Sequence, residues 1–325
     1  MTTRPLVRRR LGGAALLSVA ALLLAACSSS TSQDPVRSTD DNVPFTSCEQ
    51  VTCTGDLNGA PYEILLPTEW NGTLLLYSHG YRNAAPIPPD FAPVSTKPEP
   101  APGWSSGSKD VAEQLLSQGY ALAGSAYKSN GWAVADGVEA GNDLYEFFKA
   151  NVATPNRVYV WGDSLGGLIT QTIAEKYAWV NGAAPFCGAL AGLVPNMNLA
   201  LDLAYGIKTL GIYPELKLTD YTSYEEAVAN WSEAAKRIVA AAKDTAGGCT
   251  AKVLYLAALV DAPSQTRTYD GSTITSKVSG YVESVLTALG FGTFGRYDVE
   301  QRFGGNVSGN EKTDYSVRIS ESEAS

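Results

Sequence analysis

The chain has 325 residues, 45% hydrophobic and 18% charged, with a formal net charge of −9. That is an ordinary globular mix, long enough for one large α/β unit carrying an insertion. The acidic balance excludes recognition of nucleic acid or of an anionic membrane through a basic face, and otherwise promises only solubility.

The N-terminus opens with "MTTRPLVRRR" and continues as the uncharged "LGGAALLSVAALLLAA" up to Cys27. A basic stretch followed by an apolar one of this length predicts an export signal over residues 1–26, too short to span a bilayer comfortably. "LLAAC" is similar to a bacterial lipobox, which makes Cys27 the expected site of lipidation. Twin-arginine export and an ordinary signal peptide with a coincidental cysteine are the alternatives. Residues 27–47 read as a flexible polar tether, so the expected location is the extracytoplasmic face of the cell membrane, held by a lipid anchor alone, or the secreted fraction.

Export makes the other four cysteines, Cys48, Cys53, Cys187 and Cys249, disulfide candidates. Cys48 and Cys53 are near enough in "SCEQVTC" to close a tight loop, which leaves Cys187 and Cys249 as a second pair. No metal site is expected, because there is no C-x-x-C pair and His79 is the single histidine.

From about residue 60 to 190 the pattern alternates. "PYEILLP" and "GTLLLYSHG" read as short strands, the second nearly continuous in apolar residues and therefore buried. "APIPPDFAPVSTKPEPAPG" is a proline-rich loop of the kind that shapes a site entrance. "SKDVAEQLLSQG" predicts a helix capped by Ser108, with Val111, Leu115 and Leu116 inward and Gly119 as its stop. "YALAGSAY" is a strand, and "VADGVEAGNDLYEFFKANV" a helix with Val138, Leu144, Phe147 and Phe148 on its apolar side. "RVYVWG", "SLGGLITQTIAEKYAW" and "VNGAAPFCG" follow as strand, helix and strand. The fold class expected is α/β: a mostly parallel sheet with flanking helices over residues 48–190. Beyond 190 the segments "NMNLALDLAYGIKTLG", "SYEEAVANWSEAAKRIVAAAKDTA" and "YVESVLTALGFG" predict helices, and "AKVLYLAALVDAP" is read as helix over strand. Residues 191–325 are thus a helical insertion or cap above the sheet.

Between the third of these strand–helix junctions, Gly162-Asp163-Ser164-Leu165-Gly166 matches G-x-S-x-G in the strand-to-helix context that the motif requires. A serine in a sharp turn needs small residues two before and two after it, here Gly162 and Gly166, so that strand and helix can approach. The helix start then aims free N–H groups at the reaction centre. Upstream, "LLLYSHGYR" ends a buried strand in His79-Gly80. Gly80 lets the backbone turn so that the Tyr81 N–H can join that of Leu165 as an oxyanion donor, and loss of one such donor typically costs ~10²–10³ in turnover.

On "SHGY" and "GDSLGG", in that order, the chain resembles the α/β-hydrolase family, specifically secreted bacterial members with a helical lid, over residues 60–325. The resemblance implies a partial α/β-hydrolase fold with Ser164 as nucleophile, Tyr81 and Leu165 as oxyanion donors, and His79 as a turn-forming residue. It implies hydrolysis of a small-molecule ester, carboxylesterase- or lipase-like, or of an amide in a peptidase-type variant, with no cofactor. In that family an acid and a histidine follow the lid, and here no histidine follows Ser164. Three readings stand beside one another. The last strands, with the acid and base, lie beyond Ser325, which would leave an unpaired sheet edge. The protein has lost its triad and is a non-catalytic surface binder. Or His79 or a lysine serves as base. Asp261 is a candidate acid after an apolar run, Asp163 a loop-anchoring carboxylate, and Trp132 either a pocket wall or a core residue.

Overall fold

A computed structural model describes residues 52–263 and 273–315 of the chain. The expected signal at 1–26, the tether at 27–47, Cys27 and Cys48 lie outside the described residues. The described residues all belong to one compact unit.

Six strands make one sheet: β1 (Thr52–Leu57), β2 (Ala60–Leu65), β3 (Thr73–Ser78), β4 (Ala121–Ser125), β5 (Arg157–Asp163) and β6 (Gly182–Phe186), in the order β1-β2-β4-β3-β5-β6. β1 and β2 pair antiparallel, as do β2 and β4, while β4, β3, β5 and β6 run parallel. The expected α/β class with a mostly parallel sheet is what the chain adopts. β3 and β4 are apolar on both faces because both faces are covered, as central parallel strands require. β1 was not foreseen, although Asn58-Gly59 between β1 and β2 is a strong hairpin signal; both residues sit at positive φ, 55° and 86°, as a tight turn demands.

Three helices flank the sheet: α1 (Asp110–Ser117), α2 (Val134–Asn151) and α3 (Leu165–Lys176). Val138, Leu144 and Phe148 of α2 are buried with Ile169 and Ile173 of α3 against Leu74, Leu76 and Val160 of the sheet. On α1 two expectations fail. Its cap is Lys109, with no side-chain bond, not Ser108. The buried face is Ala112 with Leu115 and Leu116, an i, i+3, i+4 set that turns Val111 out to solvent.

The helical region comprises α4 (Leu193–Thr209), α5 (Tyr224–Lys243), α6 (Cys249–Leu259), α7 (Ile274–Gly290) and α8 (Arg296–Phe303), with one turn of π-helix, Phe291–Gly295, joining the last two. "AKVLYLAALVDAP" is therefore helical as read. This region has its own core of Leu203, Ile207, Ile238, Leu256, Val285 and Leu289. Polar ties fasten it to the sheet-side loops: the Trp132 N–H donates to Asp298 (3.0 Å), Arg302 to the Asn130 carbonyl (2.7 Å), and the Tyr224 hydroxyl to the carbonyls of Ala85 and Pro86. Buried Arg296 donates to the carbonyls of Met197 and Gly292 and to Asn306 and Ser308, locking α4, the π-turn and the segment after α8 together.

The expected Cys187–Cys249 disulfide does not form. Cys187 and Cys249 are both free thiols. Cys187 sits in a left-handed turn at the end of β6 (φ 44°), whereas Cys249 opens α6, where the Asp244 carboxylate it bonds pushes its thiol pKa up. Cys53 is disulfide-bonded.

Candidate functional site

The register between β3 and β5 sets Ser78 opposite Gly162, so the two following turns lie side by side at the same end of the sheet. Ser164 is the residue before α3, exposed, with φ 54° and ψ −117°. Such a backbone is costly for any side chain and persists only where its surroundings hold it. Here the Ser164 N–H donates to the Phe186 carbonyl (3.0 Å), and the Ser164 carbonyl accepts from Gly167, Leu168 and Ala189.

The glycines around it are dictated by backbone contact. A Cβ at Gly162 would run into the Ser78 carbonyl oxygen, and one at Gly166 into that same oxygen and the His79 carbonyl. A Cβ at Gly80 would come 2.8 Å from the Asp163 carboxylate and 3.5 Å from the Ser164 Cβ, which shows how closely the His79-Gly80 turn borders the serine. Asp163 accepts a hydrogen bond from the Tyr77 hydroxyl; burial first, and then this contact, raises the tyrosine's pKa. Asp163 thereby ties one strand end to the other.

Ser164, Leu165 and Tyr81 line one cavity of about 440 Å³ together with Met197 and Ala200 of α4, Ser284 and Ala288 of α7, and Phe291. Leu165 is the first residue of α3, so its N–H has no acceptor within the helix and is free for a ligand oxygen. Trp132 and Cys187 also line the cavity. Trp132 is 8% exposed, so it is both pocket wall and core.

Other expected participants stand apart. His79 is buried, stacked on Tyr127 with ring centroids 4.0 Å apart, its Nδ1 2.7 Å from the Gly80 carbonyl oxygen. Its pKa is lowered to about 4, first by burial and then by Arg82, so the imidazole is neutral at pH 7. It does not line the Ser164 cavity, and neither does Asp261, exposed just past the end of α6. Among the described residues no Lys, Arg, His, Asp or Glu lines that cavity, and no cluster of His, Cys, Asp or Glu could hold a metal ion. The lining contributed by the helical region was not anticipated. Its one local sign is the "GFGTFG" run from Gly290 to Gly295, unusual inside a helical stretch.

No family model matches the chain. An o-phthalyl amidase from Xanthobacter agilis is 29% identical over 163 residues, covering 48% of this chain and 31% of that protein, so the chain spans about a third of that relative's length. Solved structures with similarity include a thermostable carboxyl esterase from Bacillus coagulans (12% identity, 54% of each chain, TM-score 0.32). A rice-cell-wall-degrading esterase from Xanthomonas oryzae matches at 14% identity over 82% of this chain and 81% of that chain, with TM-score 0.31. A putative epoxide hydrolase from Pseudomonas aeruginosa matches at 12% identity over 83% of this chain and 78% of that one, with TM-score 0.30.

Proposed function

We propose that this chain carries a serine hydrolase site of the α/β-hydrolase type, acting on small-molecule esters or amides. The observation that carries the reading is Ser164 itself: an exposed serine held at positive φ at a helix start, facing a cavity it shares with Tyr81 and Leu165. In this scheme the Ser164 Oγ attacks the carbonyl carbon, and the backbone N–H groups of Tyr81 and Leu165 receive the oxyanion. Collapse expels the alcohol or amine, and water then releases the acid. Carboxylesters are the first substrates to try because they yield to weaker nucleophiles than amides do. The amidase relative adds amides, and a peptidase-type variant follows the same steps.

The serine proton needs an acceptor, and no described residue lining the cavity is one. That observation favours a second reading, a surface protein that binds a carbonyl ligand in this pocket without turning it over. A fluorophosphonate probe separates the two. Stoichiometric labelling that Ser164→Ala abolishes supports the hydrolase site; a folded chain that never labels supports binding alone. Export and lipidation at Cys27 belong to the same proposal, tested by incorporation of labelled palmitate that Cys27→Ser removes.

A further inference from the structure

A second cavity of about 500 Å³ adjoins the one holding Ser164. It opens between the proline-rich loop and the helical region, with Ile87, Trp231, Val282, Leu286 and Phe294 in its walls. Tyr81, Thr287 and Phe291 line both cavities. The rings of Tyr81 and Phe291 meet edge to face, centroids 5.0 Å apart, so an aromatic pair stands where the linings of the two cavities overlap. Phe291 is the first residue of the π-turn, a local irregularity that proteins place at functional sites more often than elsewhere.

Charge is distributed just as plainly. Among the described residues no Lys, Arg or His lines either cavity, and the only carboxylate in either wall is Glu283, in the second. Among the described residues, none in either wall would offer a substrate carboxylate a cation in exchange for its hydration.

We propose that the two cavities are halves of one substrate site, and that Phe291 determines how far a substrate extends from Ser164. The substrate class is an uncharged ester or amide with an apolar group on each side of the carbonyl, one filling the Ser164 cavity and the other passing Phe291 into the second. The identity of the reacting bond rests on the hydrolase reading above; the two-part shape rests on the cavities.

The test uses ketones, which keep the carbonyl and cannot be cleaved, with affinities read by calorimetry. Acetophenone fits one cavity, octanophenone reaches both, and 2-octanoylbenzoate adds a carboxylate to the latter. The full chain should bind octanophenone about tenfold or more tighter than acetophenone, from the added apolar burial, and lose about that much with the carboxylate. Leu286→Trp, which fills the second cavity alone, should erase the octanophenone advantage and leave acetophenone unchanged. Ile87→Trp fills the same cavity from the opposite wall and replaces Leu286→Trp should that variant not melt cooperatively. Phe291→Ala should raise affinity for ketones branched next to the carbonyl, where the aromatic wall stands. An octanophenone advantage that survives both blocking variants overturns the proposal, as do equal affinities for the two neutral ketones or tighter binding of the carboxylate. Phosphonate labelling is scored separately: an unlabelled serine with these ketone preferences intact defeats the hydrolase reading and leaves the two-part site standing.

Discussion

The turns at the ends of β3 and β5 and the helical region above them meet at one cavity but are specified in different ways. At the strand ends backbone approaches backbone, and single atoms decide: Gly162 and Gly166 both lie against the Ser78 carbonyl. In the helical region side chains meet side chains, and the wall is mostly apolar, with Met197, Ala200, Ala288 and Phe291 beside the polar Asn196, Ser284 and Thr287. The first arrangement fixes Ser164 at a positive φ and tolerates almost nothing. The second shapes a volume and tolerates a great deal.

The largest test of this contrast is Gly166→Ala. Its methyl has no room between the Ser78 and His79 carbonyls, so the variant should lose about 3 kcal/mol or more of stability in a denaturant titration. A loss under about 1 kcal/mol would show that the turns yield as readily as the helical wall. The exception within the helical region is Arg296, fully buried and bonded to two carbonyls and two side chains. Arg296→Met fills similar space yet strands those acceptors, with an expected cost of about 2–3 kcal/mol by the same measurement. Its effect should fall on α4 and the π-turn, visible as faster amide exchange there, with β3 and β5 unaffected. Smaller, and opposite in sign, is Ser164→Gly. Glycine accepts φ 54° without strain, so this variant should gain about 1 kcal/mol while losing all phosphonate labelling. A destabilised Ser164→Gly would mean that the serine's conformation carries no strain.

The same contrast explains what could be read from the sequence. The alternation of strands and helices, the G-x-S-x-G turn and the His79-Gly80 turn are local patterns with a local physical cause, and Ser164, Leu165 and Tyr81 do come to line one cavity. Where the answer depended on distant partners, reading failed. Spacing alone points Val111 inward, but the sheet selects the face of α1 that carries Ala112, Leu115 and Leu116. Elimination pairs Cys187 with Cys249, whereas the fold places them in unrelated surroundings as free thiols. The lining residues of α4 and α7 were invisible because an amphipathic helix announces that it has a buried face and not what lies opposite it. β1 is a different kind of miss, since Asn58-Gly59 was a legible turn signal.

The central claim is that Ser164 is presented for attack while His79, the chain's single imidazole, holds the turn and takes no proton from it. The most direct measurement is the rate of Ser164 phosphonylation against pH, with the adduct located by peptide mass spectrometry. His79 has a pKa of about 4 and stays neutral through the assay range, so the rate should climb with pH and show no inflection between about pH 5.5 and 8. All of the label should map to Ser164. A folded chain that takes no label, or an inflection near neutral pH that His79→Gln removes, would contradict the account.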